Sequence, residues 1–416
     1  MSAYKYVILG GGLVAGYAAQ AFAEEESASG KLCILSAESK LPYERPPLSK
    51  DFLAGDKTEG EILINEPEFY ENNNIEVRLN SLVQSVDLPQ KLLYTDDEIV
   101  GFDKLLIATG TRPRHLNVPG SDLEGLYYLR RVGDAQQIRR AAAQADRAIV
   151  IGGSFIGMEV ASVLQGGGVE TTMVFPEEHV WHSFFTSEMA AFFENYYRDR
   201  GVIIMPRAKV TEFEGENGRL THVVLSSGTR LRTDMAVAGI GVLPNNELFT
   251  GNTGNGIRIM EEGIAVNRFL ETNIPDVYAA GDIAHYDDVL FGRPRRIEHW
   301  DNAVAQGQHA MKNMMGQHEP FVHVPYFFSD VFDLSYEFWG DVTGAQETVS
   351  RGDMENGRFT VWWLAGDGRL LAAFVMNRPD EERQLAQQWI RDGKKLMADQ
   401  LADANQPLQE GQKEGV

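Results

Sequence analysis

Short apolar stretches, each closed by glycine or a tight turn, recur along most of the chain. Tyr6 to Leu9 runs straight into a glycine turn and then into an alanine-rich segment from Tyr17 onward, an order that predicts strand, turn and helix. The same order returns after Ala148 to Ile151, and further apolar strands are predicted at Leu32 to Leu35, Lys104 to Ala108, Thr171 to Phe175, Met235 to Gly241 and Val277 to Ala280. Strands that alternate with helices in this way predict an α/β fold with parallel sheets. From about position 321 the pattern changes to alternating strands, and FTVWWLAGDGRLLAAFVMN reads as a hairpin with Gly-Asp-Gly at its turn. RPDEERQLAQQWIRDGKKLMADQLADA, opened by Pro379 and acids, reads as helical, and Glu24-Glu25-Glu26 as a solvated loop. The final NQPLQEGQKEGV is expected to be disordered.

The first glycine turn places Gly10, Gly12 and Ala15 in G-x-G-x-x-A spacing, with Gly16 following. The first glycine permits a sharp turn out of the strand, the second lets backbone approach a pyrophosphate, and the small third residue lets helix and sheet pack closely. Phosphate charge then meets the helix N-terminus. One such motif is weak, but Gly152, Ser154 and Gly157 repeat it in a second strand–turn–helix context, with serine as the middle residue. Two dinucleotide sites are therefore expected, the arrangement for passing a hydride between nicotinamide and flavin. The expected organisation is a discontinuous first dinucleotide domain over 1–115 and 245–320, a second inserted at 116–244, a C-terminal piece over 321–403 and a tail over 404–416.

With 416 residues, 43% of them hydrophobic, the chain can bury the cores of two or three domains. A formal charge of −22 argues against general affinity for nucleic acid or anionic membrane. No apolar run approaches the length of a membrane helix and no basic leader precedes the first strand, so a cytoplasmic location is expected. The single cysteine, Cys33, lies inside an apolar strand, which excludes an intrachain disulfide and suggests a buried, inert thiol.

YERPPLSK, from Tyr43 to Lys50, resembles the signature of flavoproteins built like glutathione reductase, and specifically the branch that holds ferredoxin reductases, apoptosis-inducing-factor-like proteins and plant monodehydroascorbate reductases. The resemblance runs through KLLIATGTRPR (Lys104 to Arg114), LYYLRRV (Leu126 to Val132), GGSFIGME (Gly152 to Glu159), VYAAGDIA (Val277 to Ala284), RIEHWDNAVAQG (Arg296 to Gly307) and VPYFFSDVFDLSYEFWGD (Val324 to Asp341). It implies a glutathione reductase-like α/β fold: two Rossmann-like dinucleotide-binding domains and a small α+β C-terminal domain. It implies that FAD is held by Gly10, Gly12, Ala15, Gly16, Glu38, Arg45 and Lys50, by Ala108, Thr109, Gly110 and Arg130, and by Gly281, Asp282, His299, Trp300 and Phe328. For NAD it implies Gly152, Ser154, Ile156, Gly157, Glu159, Glu177, Gly241 and Glu298, with Lys50, Glu159 and Glu298 as the catalytic group beside flavin and nicotinamide.

Physical arguments stand beside that resemblance. A lysine buried near a flavin needs a carboxylate partner, so Lys50 and Glu159 are expected to pair. Glu177 and Glu178 follow the strand Thr171 to Phe175, and an acid there accepts ribose hydroxyls but repels a 2′-phosphate, so NADH is expected over NADPH. Asp282 is placed to bond a ribityl chain or to cap a helix, and a helix opening near His299 can point its positive end at the flavin N1 and O2. His179 and His182 have no third ligand nearby, so no metal site is expected.

Disulfide reductases of this fold need a cysteine pair that the chain lacks, so electrons must leave the flavin directly. In the monodehydroascorbate reductases the arginines that hold ascorbate fall here at Val304 and Asp330, and the arginine after the ribose acid at Ser183. A valine and an acid cannot make the charge-assisted bonds an anionic substrate wants. The expected function is therefore an NADH oxidoreductase of ferredoxin- or rubredoxin-reductase type, a monomer or homodimer serving a small electron-carrier protein docked on Arg293, Arg295 and Arg296. Monodehydroascorbate or quinone reduction, and an apoptosis-inducing-factor-like NADH sensor, are the alternatives.

Overall fold

A computed structural model describes residues 2–25, 31–250 and 256–408. Contacts divide the chain into two units: Met1–Arg45, Thr58–Arg112 and Val242–His323 form one, and Pro46–Lys57, Pro113–Gly241 and Val324–Val416 the other. The second unit's long middle segment is thus inserted in the first. The short stretch after Arg45 and the whole C-terminal segment group with that insertion.

The first unit is built on a sheet whose strands run in the order Ile75–Arg78, Leu32–Leu35, Ser2–Leu9, Ile99–Ile107, Leu92–Thr95, Val83–Asp87, with Val277–Ala279 also pairing Ile99–Ile107. The first four and Val277–Ala279 pair in parallel, and the last two join as antiparallel edges. Leu32–Leu35 and Val277–Ala279 are buried at every position, as are Tyr6–Leu9 and Leu105–Ile107 of their neighbours, because both faces of the sheet's centre are covered. Helices Leu13–Glu24 and Trp300–Met315 pack together, and Gly307 allows it: a Cβ there would lie 2.8 Å from the Val14 carbonyl oxygen. Cys33 is fully buried in Leu32–Leu35, and burial pushes its thiol up to about 12, consistent with an inert side chain. Of the acidic run near position 25, Glu24 ends the first helix and Glu26 lies outside the described residues.

The second unit contains the repeat of that fold, a parallel sheet in the order Ile203–Met205, Glu170–Val174, Arg147–Ile151, Met235–Ala238, Leu126–Tyr128. Its C-terminal part is an antiparallel sheet in the order Tyr326–Val331, Leu334–Gly340, Leu370–Met376, Arg358–Leu364, Glu347–Asp353, with the expected hairpin between Arg358–Leu364 and Leu370–Met376. Aromatic rings join the two parts of this unit. Phe155 packs edge-on to Phe327 at 4.7 Å, and Trp181 meets Tyr336 at 5.2 Å.

Helix Asp380–Arg391 stops well short of the expected helical run. Asp392 caps it, Gly393 turns with φ +60°, and Lys395 bridges to Arg369 before a second helix, Ala398–Ala402. Tertiary pairing overrides local helix preference there. The tail expected from 404 is held by packing as far as Leu408, which is buried, and 409–416 lie outside the described residues. Among the described residues no helix is long and apolar enough to cross a membrane.

Candidate active site

In the first unit the chain leaves strand Ser2–Leu9 through Gly10 at φ +126°, where a Cβ would sit 2.1 Å from the Ala108 carbonyl oxygen. Only glycine fits. Its N–H donates to Leu35 O at 2.9 Å, and Ala108 N–H donates to Leu9 O at 2.8 Å, so the turn is threaded between neighbouring strands. Gly12 occupies the N-cap of helix Leu13–Glu24 without a side-chain cap, and the one atom within 4 Å of a Cβ added there is Arg45 Nη2, at 3.8 Å. Uncapped helix N–H groups and a guanidinium thus converge on open space, a donor set that suits a pyrophosphate. Ala15 and Gly16 are buried, and a Cβ on Gly16 would strike Ile64 at 2.7 Å. Glu38 accepts from Arg45 Nη2 at 2.7 Å and from the Tyr43 hydroxyl at 2.6 Å, and Arg45 Nη1 reaches that hydroxyl at 2.9 Å.

The rest of this unit's group is also fixed by local bonds. Thr109 and Asn245 bond reciprocally, hydroxyl to carbonyl and amide to carbonyl, both at 2.8 Å, and Gly110 turns with φ +62°. Gly281 N–H donates to the Gln306 side chain at 2.8 Å, and Asp282 accepts from the Thr111 hydroxyl at 2.9 Å. His299 is the N-cap of Trp300–Met315, and burial lowers it to about 4, so the imidazole is neutral near pH 7. The Trp300 indole N–H donates to Glu44, which also accepts from the Tyr17 hydroxyl. Glu298 pairs with Arg296, whose guanidinium also donates to Asp282 O at 3.1 Å. The expected basic docking cluster is therefore corrected. Arg295 is 9% exposed, its Nε donates to Asp288 at 2.6 Å and its guanidinium lies 4.4 Å from the Phe291 ring centre, so it is a structural ion pair and not a docking cation.

The second unit repeats the turn. Gly152 also has φ +126°, and a Cβ there would lie 2.2 Å from Gly239 O; a Cβ on Gly157 would lie 2.1 Å from Gly152 O. Ser154 is the N-cap of Phe155–Gly166 but its hydroxyl makes no cap bond, which leaves the helix end open to an anion. Ile156 flanks Gly239, where a Cβ would meet its Cγ2 at 3.3 Å, and Gly241 turns with φ +95°. Glu177 stands after strand Glu170–Val174 with its carbonyl accepting from Arg207 N–H at 2.8 Å. His179 Nδ1 faces Glu194 at 3.1 Å. Arg130 belongs to this unit too, its backbone N–H held by Asp134 at 3.0 Å.

The expected pair is also in this unit. Lys50 Nζ lies 3.5 Å from Glu159 Oε1. Glu159, 6% exposed on helix Phe155–Gly166, also accepts from the Ser49 hydroxyl and from the Ser329 hydroxyl at 2.5 Å. Burial raises its pKa, against the lowering effect of Lys50 and both serines. Sequence reasoning missed three members of this cluster: Ser49, Ser329 and, above all, Asp330, which takes Lys50 Nζ at 2.9 Å. Phe328 and Asp330, two apart on strand Tyr326–Val331, share the face that meets Lys50, whose Nζ is 4.3 Å from the Phe328 ring centre. The signal lay in the S-D step after Phe328, but only the packing of that strand on helix Phe155–Gly166 shows its use.

Two repeated dinucleotide turns, an open helix end at each and a buried lysine–carboxylate cluster define a nicotinamide–flavin oxidoreductase. The residues present fit FAD in the first turn and a nicotinamide dinucleotide in the second. The comparisons agree. The family model described as pyridine nucleotide-disulphide oxidoreductase matches residues 4–307, and one described as reductase C-terminal matches 326–411. The chain belongs to this family of FAD-dependent NAD(P)H oxidoreductases. It is 38% identical to the peroxisomal monodehydroascorbate reductase 4 of Arabidopsis thaliana, across 91% of this chain and 80% of that one. Among solved structures it resembles a ferredoxin reductase from Rhodopseudomonas palustris, with a TM-score of 0.91 and 28% identity, covering 96% of this chain and 98% of that chain. It resembles equally the covalent putidaredoxin reductase–putidaredoxin complex, with a TM-score of 0.91, 30% identity and 97% of each chain covered.

Proposed function

We propose that this chain oxidises NADH and passes the electrons, one at a time, to a small iron–sulfur carrier protein. The balance is one NADH and two oxidised carriers giving NAD⁺, one proton and two reduced carriers. FAD, when bound, supplies the conversion of a two-electron hydride into single electrons. Gly10, Gly12 and Arg45 would hold its pyrophosphate, Glu38 its ribose and Asp282 its ribityl chain. The family resemblance assigns Lys50, Glu159 and Phe328 to the flavin and Glu298 to the nicotinamide. Glu177 would accept the ribose hydroxyls of NADH.

The observation that carries the choice of acceptor is the Lys50–Asp330 ion pair. A carboxylate stands where monodehydroascorbate reductases use an arginine, and it engages the Lys50 ammonium, so a small anionic acceptor finds a negative charge in place of a positive one. The complex that putidaredoxin reductase, a similar chain, forms with putidaredoxin supports the carrier reading. The 38% identity to a plant monodehydroascorbate reductase favours the second reading, reduction of the ascorbate radical.

The test is to reduce the FAD-loaded protein with NADH in the absence of oxygen and mix it separately with a small iron–sulfur protein and with ascorbate radical. Faster reoxidation by the carrier is expected. A higher kcat/KM for the radical than for any carrier would establish the second reading, and kcat/KM for NADPH equal to that for NADH would remove the preference assigned to Glu177.

A further inference from the structure

In the second unit, strand Ile203–Met205 lies beside Glu170–Val174 on the outer edge of the parallel sheet. Both strands run in the same direction, so the turn after Met205 emerges next to Glu177 and Glu178. Arg207 N–H donates to Glu177 O and Ala208 N–H to Phe175 O, both at 2.8 Å. These two bonds hold Arg207 alongside the acidic segment in a left-handed conformation, φ +54°, that few non-glycine residues adopt. Its guanidinium is paired with Glu178, and both side chains are exposed, at 70% and 63%. An arginine is thus delivered, from a different strand, to the segment that carries Glu177 and Glu178, and one carboxylate occupies it.

We propose that Arg207 is a specificity-determining residue: engaged by Glu178 it leaves the site to NADH, and with Glu178 removed it becomes the ligand of the NADPH 2′-phosphate. The proposal rests on the reading of the second glycine turn as the nicotinamide dinucleotide site. Exposed ion pairs hold their partners weakly, so Glu178 is a light restraint. A guanidinium matches a phosphate in a planar, two-bond contact, which a phosphate at that ribose would exploit. In the protein as it stands Glu177 and Glu178 outnumber Arg207, and a 2′-phosphate meets net repulsion.

The test measures dissociation constants for NAD⁺ and NADP⁺ by calorimetry on the FAD-loaded protein, as wild type, Glu178→Gln, Arg207→Ala and the double variant. Glu178→Gln is expected to tighten NADP⁺ by about tenfold, the order of one charge-assisted hydrogen bond, while NAD⁺ changes little. The double variant should lose that gain. Retention of the gain in the double variant would show relief of repulsion alone and overturn the role of Arg207, as would no gain in Glu178→Gln. Unaltered NAD⁺ affinity in a Glu177→Ala variant would instead overturn the underlying assignment of the ribose site, and the proposal with it.

Discussion

The Lys50 ammonium lies nearer to Asp330, at 2.9 Å, than to Glu159, at 3.5 Å. One cation therefore serves two carboxylates, one buried and one half-exposed, and the cost of losing each member differs. Lys50→Met leaves Glu159 buried without a cation and should destabilise the protein by about 3 kcal/mol, as expected for a broken buried pair. Glu159→Gln leaves Lys50 with Asp330 and keeps one acceptor oxygen for a serine, while its new amide N–H can donate to the other serine's hydroxyl oxygen, so about 1 kcal/mol is expected. From sequence, loss of either partner would cost the same, because nothing in the motifs shows that Asp330 shares the lysine. Denaturant unfolding of the two variants checks this, and equal losses would show that Asp330 does not sustain the Lys50 charge.

His299 gives a second prediction. Burial holds its imidazole at about 4, against 6.5 for an ordinary histidine, and the helix N-terminus it caps also disfavours a positive charge. The unfolded chain binds this proton more readily, so stability is full above the unfolded value and falls as pH drops from 6.5 toward 4. The loss should reach roughly 3 kcal/mol and should be absent in His299→Asn, which carries no titrating group and suits an N-cap position. Unfolding free energies of both proteins between pH 4 and 7 measure it, and identical slopes would refute the buried neutral imidazole.

What the sequence showed and what it hid follow from the range of the forces involved. Gly10 and Gly152 were legible because a Cβ at either would overlap a carbonyl oxygen of the neighbouring strand, a local exclusion that any chain folding this way must obey. Lys50 and Glu159 were legible through their motifs. Ser49, Ser329 and Asp330 complete the same cluster only because strand Tyr326–Val331 packs on helix Phe155–Gly166, and no periodicity in either segment encodes that docking. Arg295 failed for a related reason. Three arginines within four positions look like a basic surface, while burial against Asp288 and Phe291 is decided by the hairpin Ala284–Asp288 and Arg293–Arg295.

That burial changes what an Arg295 variant reports. Arg295→Glu sets a second carboxylate beside that of Asp288, which is itself buried, and should cost about 3–5 kcal/mol of stability. Weaker carrier reduction by this variant would then follow from damaged folding of the first unit and not from lost docking. The swap Arg295→Asp with Asp288→Arg should recover part of the loss. Thermal melts of the wild type and the two variants decide it: an unaltered melt in Arg295→Glu would return the residue to the surface.

Arg351 holds the C-terminal segment from the edge strand of the antiparallel sheet. It is 3% exposed on strand Glu347–Asp353, and its Nε donates to Glu382 at 3.0 Å. Its remaining donors reach the carbonyls of Leu401 at 3.2 Å, Gln406 at 2.7 Å and Asp403. Burial works against the Glu382 charge, yet Arg378, Thr360 and Arg351 together hold that carboxyl below its ordinary value. Its contribution is therefore complete above the unfolded carboxylate value and is lost as pH falls through the lower folded one. Arg351→Met keeps much of the side-chain volume but leaves three backbone carbonyls and part of Glu382 without a donor. The cost should be about 3 kcal/mol, and most of it should appear as release of the segment from Ala398 to Leu408. Limited proteolysis of Arg351→Met should cut within that segment while the sheet stays protected, and lowering the pH should produce the same cut in the wild type as Glu382 takes up its proton. Resistance of the segment in Arg351→Met, at a pH where the rest of the fold is intact, would show that Leu401 and Leu408 hold it by apolar burial alone.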